Sequence, residues 1–103
     1  MRPRPPLTSV GANTLIGHDA VVYAHVIEGQ RLGFYPVRIG SGVTIGAHAI
    51  IMPGVAIGDG AIISSGAVVT KGCQVGADEI WAGVPARKIG MRHSLRMPRG
   101  YNL

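Results

Sequence analysis

One cysteine, five aromatic rings and five acidic side chains are all that 103 residues hold of those types. The lone Cys73 excludes an intrachain disulfide framework and a zinc finger built from cysteines. No apolar run reaches the roughly eighteen residues of a membrane-spanning helix, and the opening MRPRPP leads into no apolar segment of a secretory signal. A reducing, cytoplasmic location is the expectation. Ten Lys and Arg stand against the five acids, a net charge of +5. What is abundant is glycine, at 16 residues, and apolar side chains, at 47%. The glycines follow no three-residue period, which excludes collagen, and the apolar share excludes a wholly disordered chain. A core so poor in rings must be tiled from Ile, Val and Ala. The length suits one small domain.

From Ile39 onward the sequence repeats every six residues. Ile39, Ile45, Ile51, Ile57, Ile63, Val69 and Val75 hold one position, and Trp81 takes the next step. Val43, Ala49, Val55, Ala61, Ala67 and Cys73 hold a second, small position two places before the next aliphatic. Residues two apart share a face on a strand but lie about 200° apart on a helix, so each hexad reads as a short strand and a corner. Gly, Ser and Asp fill the corners. Stacked in parallel, such strands form a β-helix around one continuous core. The same lattice appears upstream in another phase, with Val10, Ile16 and Val22 aliphatic and Thr14, Ala20 and Val26 in the small position. An insertion therefore separates the two, and Glu28 to Arg38 is the natural place for it.

The run from Pro36 to Ile89, with PGVAIG, GAVVTKG and GVPARKI in order, resembles the hexapeptide-repeat acyltransferases, above all their maltose, galactoside and xenobiotic acetyltransferase branch. The resemblance implies an all-β fold, a left-handed parallel β-helix of about three to four coils with a projecting loop and a C-terminal cap. On that plan 1–9 is an extension, 10–85 the β-helix with the loop 28–38 inserted, and 86–103 a basic cap, in which a short helix can form from about Ala86 to Arg96. Pro3, Pro5 and Pro6 blunt the open N-terminal end, because proline donates nothing to a new ladder.

The resemblance also implies a homotrimer that binds acetyl-CoA in grooves between neighbouring subunits. A hydroxyl or amine attacks the thioester directly, with a histidine as general base. Carried over residue by residue, Ala47 and Ser65 match backbone contacts to the pantetheine arm, and Thr70 and Lys71 match contacts near the nucleotide end. Arg87 matches a basic contact to the CoA phosphates, as a planar guanidinium suits. His25, near the start of the projecting loop, fits the catalytic base, although it stands at the fourth place of its hexad rather than the last. His18 and His48 are its rivals, and His93 has no counterpart. Trp81 and Cys73 read as core residues. Phe34 and Tyr35 suit either an acceptor pocket or a subunit contact.

Three other functions compete. The basic tail after Val84 allows nucleic-acid binding, but it lacks interleaved stacking aromatics and a reading motif. The zinc-holding γ-class carbonic anhydrases use the same fold, but their ligand spacing is not reproduced by His18 and His25, which are seven residues apart. A non-catalytic trimeric scaffold is the third, suggested by the shortness of the chain.

Overall fold

The computed structural model describes the backbone of residues 8–28 and 31–92, with side chains for 8–24 and 35–92. The described residues form fourteen strands, most of only two or three residues. The first coil holds β1 (Thr8–Val10), β2 (Leu15–Ile16) and β3 (Val21–Val22). A hairpin of β4 (His25–Glu28) and β5 (Arg31–Phe34) follows, its strands antiparallel. Two further coils comprise β6 (Val37–Ile39), β7 (Thr44–Ile45) and β8 (Ile50–Ile51), then β9 (Ala56–Ile57), β10 (Ile62–Ile63) and β11 (Val68–Val69). The fourth is incomplete: β12 (Gln74–Val75), β13 (Glu79–Gly83) and the returning β14 (Ala86–Met91).

Like strands of successive coils pair in parallel, giving sheets ordered β1-β6-β9-β12, β14-β13-β10-β7-β2 and β11-β8-β3. Three sheets enclose one core, as the hexad lattice requires. Every aliphatic and small lattice position from Ile39 to Val69 is buried, while the neighbouring Thr44, Ile50, Ala56, Ile62 and Val68 lie on the outer side. Trp81 and Cys73 are half-buried and pack on this core, and Ile80 is buried beside them. The first coil is less covered: Val10 and Ile16 are 46% and 47% exposed, against 4% and 1% for their partners Ile39 and Ile45.

Most corners turn through one left-handed residue. Asn13, Gly42, Gly60 and Asp78 share one corner, and Asp19, His48 and Gly66 another. Glycine is required for a second reason at Gly46, where a Cβ would collide with the Ser65 backbone nitrogen one coil above.

The structure corrects the sequence reading in three places. Thr8 and Ser9 already belong to the coil, Thr8 pairing with Val37 in β6, so Val37 and Arg38 are not loop. Paired residues of coils two and three differ by 18, but Val43 bonds Thr14 across 29, so eleven residues are inserted. The hairpin places them at 24–34, just before Tyr35, whose N–H donates to Ala24 O at 2.9 Å and closes the root. Val26 is therefore a β4 residue, not a lattice position.

The third correction concerns the cap. Ala86–Met91 is a strand antiparallel to β13, not the first turns of a helix. The open edge of β13 offers a row of unpaired N–H and C=O groups, and the returning chain satisfies them after a turn at Gly83–Pro85. Ala86 is drawn into the core, and Arg92 Nη1 donates to the stacked corner carbonyls of Gly42 and Gly60 at 3.1 Å each. Residues 93–103, with His93 and the rest of the expected helix, lie outside the described residues.

Candidate active site on one face and its two rims

The sheet β3-β8-β11 is a short face whose outer side chains are Val21, Ile50 and Val68. Its strands are entered from one corner and left by another. The expected site residues sort themselves onto these two rims.

The entry rim is the column His18–Ala47–Ser65, tied by His48 N–H to His18 O and Gly66 N–H to Ala47 O, both at 2.9 Å. Gly17 and Gly46 let the coils approach there, since a Cβ on either would meet the backbone of Ala47 or Ser65. Arg87 pairs with Ala82, just before the same corner one coil higher. Its Nη1 donates to Ala86 O at 3.0 Å and its side chain is exposed. Ala47, Ser65 and Arg87 thus rise along one rim in that order.

Glu79 fixes the strand that carries Arg87. Its Oε1 accepts from Trp81 Nε1 at 3.0 Å and Gly76 N at 2.7 Å, and Oε2 lies 3.3 Å from Lys88 Nζ. The Trp81 hydrogen bond chiefly, then that from Gly76, holds its carboxyl below the usual range against the cost of burial. Trp81 thus packs half-buried against the core with its polar edge satisfied.

The exit rim holds Thr70 and Lys71. Thr70 Oγ1 lies 3.3 Å from Cys73 Sγ, which braces the turn, and Lys71 Nζ sits over the Tyr35 ring, 4.1 Å from its centroid. His25, the first residue of the hairpin, departs from this rim after Ala24. Its side chain lies outside the described residues. One hexad separates Ser65 from Lys71, so the rims stand roughly 20 Å apart at most.

At the foot of the entry rim the structure gathers a group that the sequence showed only in parts. His18 Nε2 lies 3.2 Å and His48 Nδ1 3.9 Å from the same Asp19 oxygen, and the two imidazoles meet edge to face at 6.2 Å. Asp19 and His48 both stand in the left-handed region, at φ of 56° and 61°, where Asp and His are more tolerated than most residues. Asp19 was not singled out from the sequence. Only the 29-residue offset, once known, places it beside His48. Among the described residues no three His, Cys, Asp or Glu side chains are grouped so as to hold a metal ion.

Comparison with known proteins bears on the repeat and the fold. Residues 36–71 match the family model "Bacterial transferase hexapeptide (six repeats)". Over 53 residues, 50% of this chain and 30% of the other, the sequence is 47% identical to "Putative acetyltransferase YvoF" of Bacillus subtilis (strain 168). A galactoside acetyltransferase in complex with coenzyme A superposes with a TM-score of 0.79 at 28% identity, covering 93% of this chain and 52% of that one. AntD, an N-acyltransferase from Bacillus cereus in complex with dTDP and 3-hydroxybutyryl-CoA, gives 0.69 at 30% identity, over 78% and 49%. The chain thus spans about half the length of these two structures and less of YvoF. The fold is the left-handed parallel β-helix, an exception to the usual right-handed crossover. Its repeat, its coils and these comparisons show that the chain carries the bacterial transferase hexapeptide repeat over residues 36–71 and is similar to hexapeptide-repeat acetyltransferases.

Proposed function

We propose that the chain binds acetyl-CoA and transfers the acetyl group to a small hydroxyl or amine, acting as a homotrimer. The observation that carries this reading is the ordering of the matched residues. Ala47, Ser65 and Arg87 climb one rim of a single face, and Thr70 and Lys71 occupy the other. The CoA complexes of the similar galactoside enzyme and AntD support it.

On this reading the exposed backbone at Ala47 and Ser65 meets the pantetheine amides, and Arg87 and Lys71 meet the phosphates. A lone pair of the acceptor attacks the thioester carbonyl while its proton passes to a histidine. The tetrahedral intermediate then collapses and expels the CoA thiolate, which takes up the proton. Outer aliphatics on two of the three faces, Leu15 and Ile62 on one and Val21, Ile50 and Val68 on the other, suit contact between subunits, whereas the third presents Arg38, Ala56 and Gln74. A neighbour packed there sets the entry rim of one chain against the exit rim of the next.

His25, at the root of the hairpin, is the proposed base. One observation favours His18 as the alternative: a carboxylate stands against its Nε2, and accepting that proton leaves the imidazole lone pair on Nδ1. Thiol release from acetyl-CoA, followed with a panel of amino and hydroxyl sugars, separates the two. His25→Ala is expected to abolish release, with His18→Ala and His48→Ala near wild type. The reverse order assigns the base to the Asp19 pair. Acetyl-CoA binding without release to any acceptor leaves the non-catalytic scaffold.

A further inference from the structure

Tyr35 stands where the inserted hairpin rejoins the coil, and its backbone is held from both sides. Its N–H donates to Ala24 O at 2.9 Å, and its carbonyl accepts from Gly54 N at 3.1 Å. Gly72 N–H donates in the same way to Pro53 O at 3.0 Å, so Tyr35, Pro53 and Lys71 occupy equivalent places on successive coils. Pro53 is fully buried and forms a rigid spacer between the other two. From its exposed corner Lys71 reaches back past this proline and places Nζ 4.1 Å from the centre of the Tyr35 ring.

A lysine at a corner normally spreads its charge over many rotamers, and immobilising it costs side-chain entropy. A cation held over a ring face has lost much of that freedom before any ligand arrives. We propose that Tyr35 is the positioning residue for Lys71, fixing its ammonium for the phosphate end of CoA. The hairpin root and the cofactor rim are thereby joined through one ring. The proposal rests on the acyl-CoA reading of the exit rim.

The test is calorimetric titration of the full chain with coenzyme A, using wild type, Tyr35→Phe, Tyr35→Leu, Lys71→Ala and the double variant Tyr35→Leu/Lys71→Ala. Tyr35→Phe keeps the ring and is expected to bind like wild type. Tyr35→Leu should weaken binding about two- to fivefold, the fold-change equivalent of an exposed cation–π contact. In the Lys71→Ala background the same change should have no effect, a non-additivity that a purely structural role would not produce. The ε-protons of Lys71 should resonate upfield in wild type and Tyr35→Phe and move downfield in Tyr35→Leu. Equal weakening by Tyr35→Leu with and without Lys71, or unchanged affinity in Tyr35→Leu, overturns the proposal. Lys71 resonances that ignore Tyr35 also overturn it. A wild type that shows the upfield shift but takes no coenzyme A rejects the acyl-CoA reading and this role with it, while leaving the contact itself intact.

Discussion

Side chains of this protein act mainly by size and by what they satisfy. The inward aliphatics sit in a core with nowhere to collapse, because each is flanked by equivalents on the coils above and below. Ile63→Ala is therefore expected to cost about 2–5 kcal/mol, read as a lowered denaturation midpoint with an unchanged denaturant slope. Glu79 gives a pH-dependent counterpart. Its carboxyl titrates below the usual value of 4.5, so the folded state favours the ionised form. That contribution is fully present above the unfolded-state pKa and is lost as pH falls through the lower, folded one. Glu79→Gln should thus lower the melting temperature at pH 7 and narrow its gap to wild type on acidification below about pH 4.5. A gap that is constant with pH would show that Glu79 acts only through its shape.

At the scale of elements, the hexad strands were legible because the pattern that names them also builds them. A period of six with two inward places per hexad leaves little freedom, and Ile45, Ile51, Ile57, Ile63 and Val69 are all buried as that pattern demands. The insertion was legible in its length but not in its ends. Phase counts residues and does not say which side of Val26 or Val37 is loop, and both are β-branched and fit either strand. The β14 strand was not legible at all. Its local sequence, ARKIGM, has no strong preference, and an antiparallel partner across the Gly83–Pro85 turn decides it. The same limit hid the His18–Asp19–His48 group, whose members come from coils that only the insertion brings into register. Arg92 closes the cap by binding two stacked corner carbonyls. Arg92→Ala is expected to cost about 1–2 kcal/mol, less than a buried charged hydrogen bond because the side chain is partly solvated. It should also speed hydrogen exchange in β14 before the inner coils.

Across the described residues, a solenoid of fewer than four coils buries a narrow core, and its outer faces differ sharply in character. Val68 and Ile50 lie on a face that carries no charge in its strands, which suits burial against another copy. If the proposed trimer forms through this face, Val68→Glu should convert it into monomers by light scattering coupled to size exclusion. If the mass is unchanged, the contact lies on another face. On the proposed acyl-CoA reading, Lys71 and Arg87 would put part of the net charge of +5 where the CoA phosphates arrive.

The proposed acyl transfer requires that this chain bind CoA. Thermal unfolding measured against rising acetyl-CoA tests it most directly, because a ligand that binds only the folded state raises the midpoint in proportion to the logarithm of its concentration above Kd. A progressive rise that is reduced by Lys71→Ala and Arg87→Ala is the predicted result. A midpoint unmoved at millimolar acetyl-CoA would contradict the account.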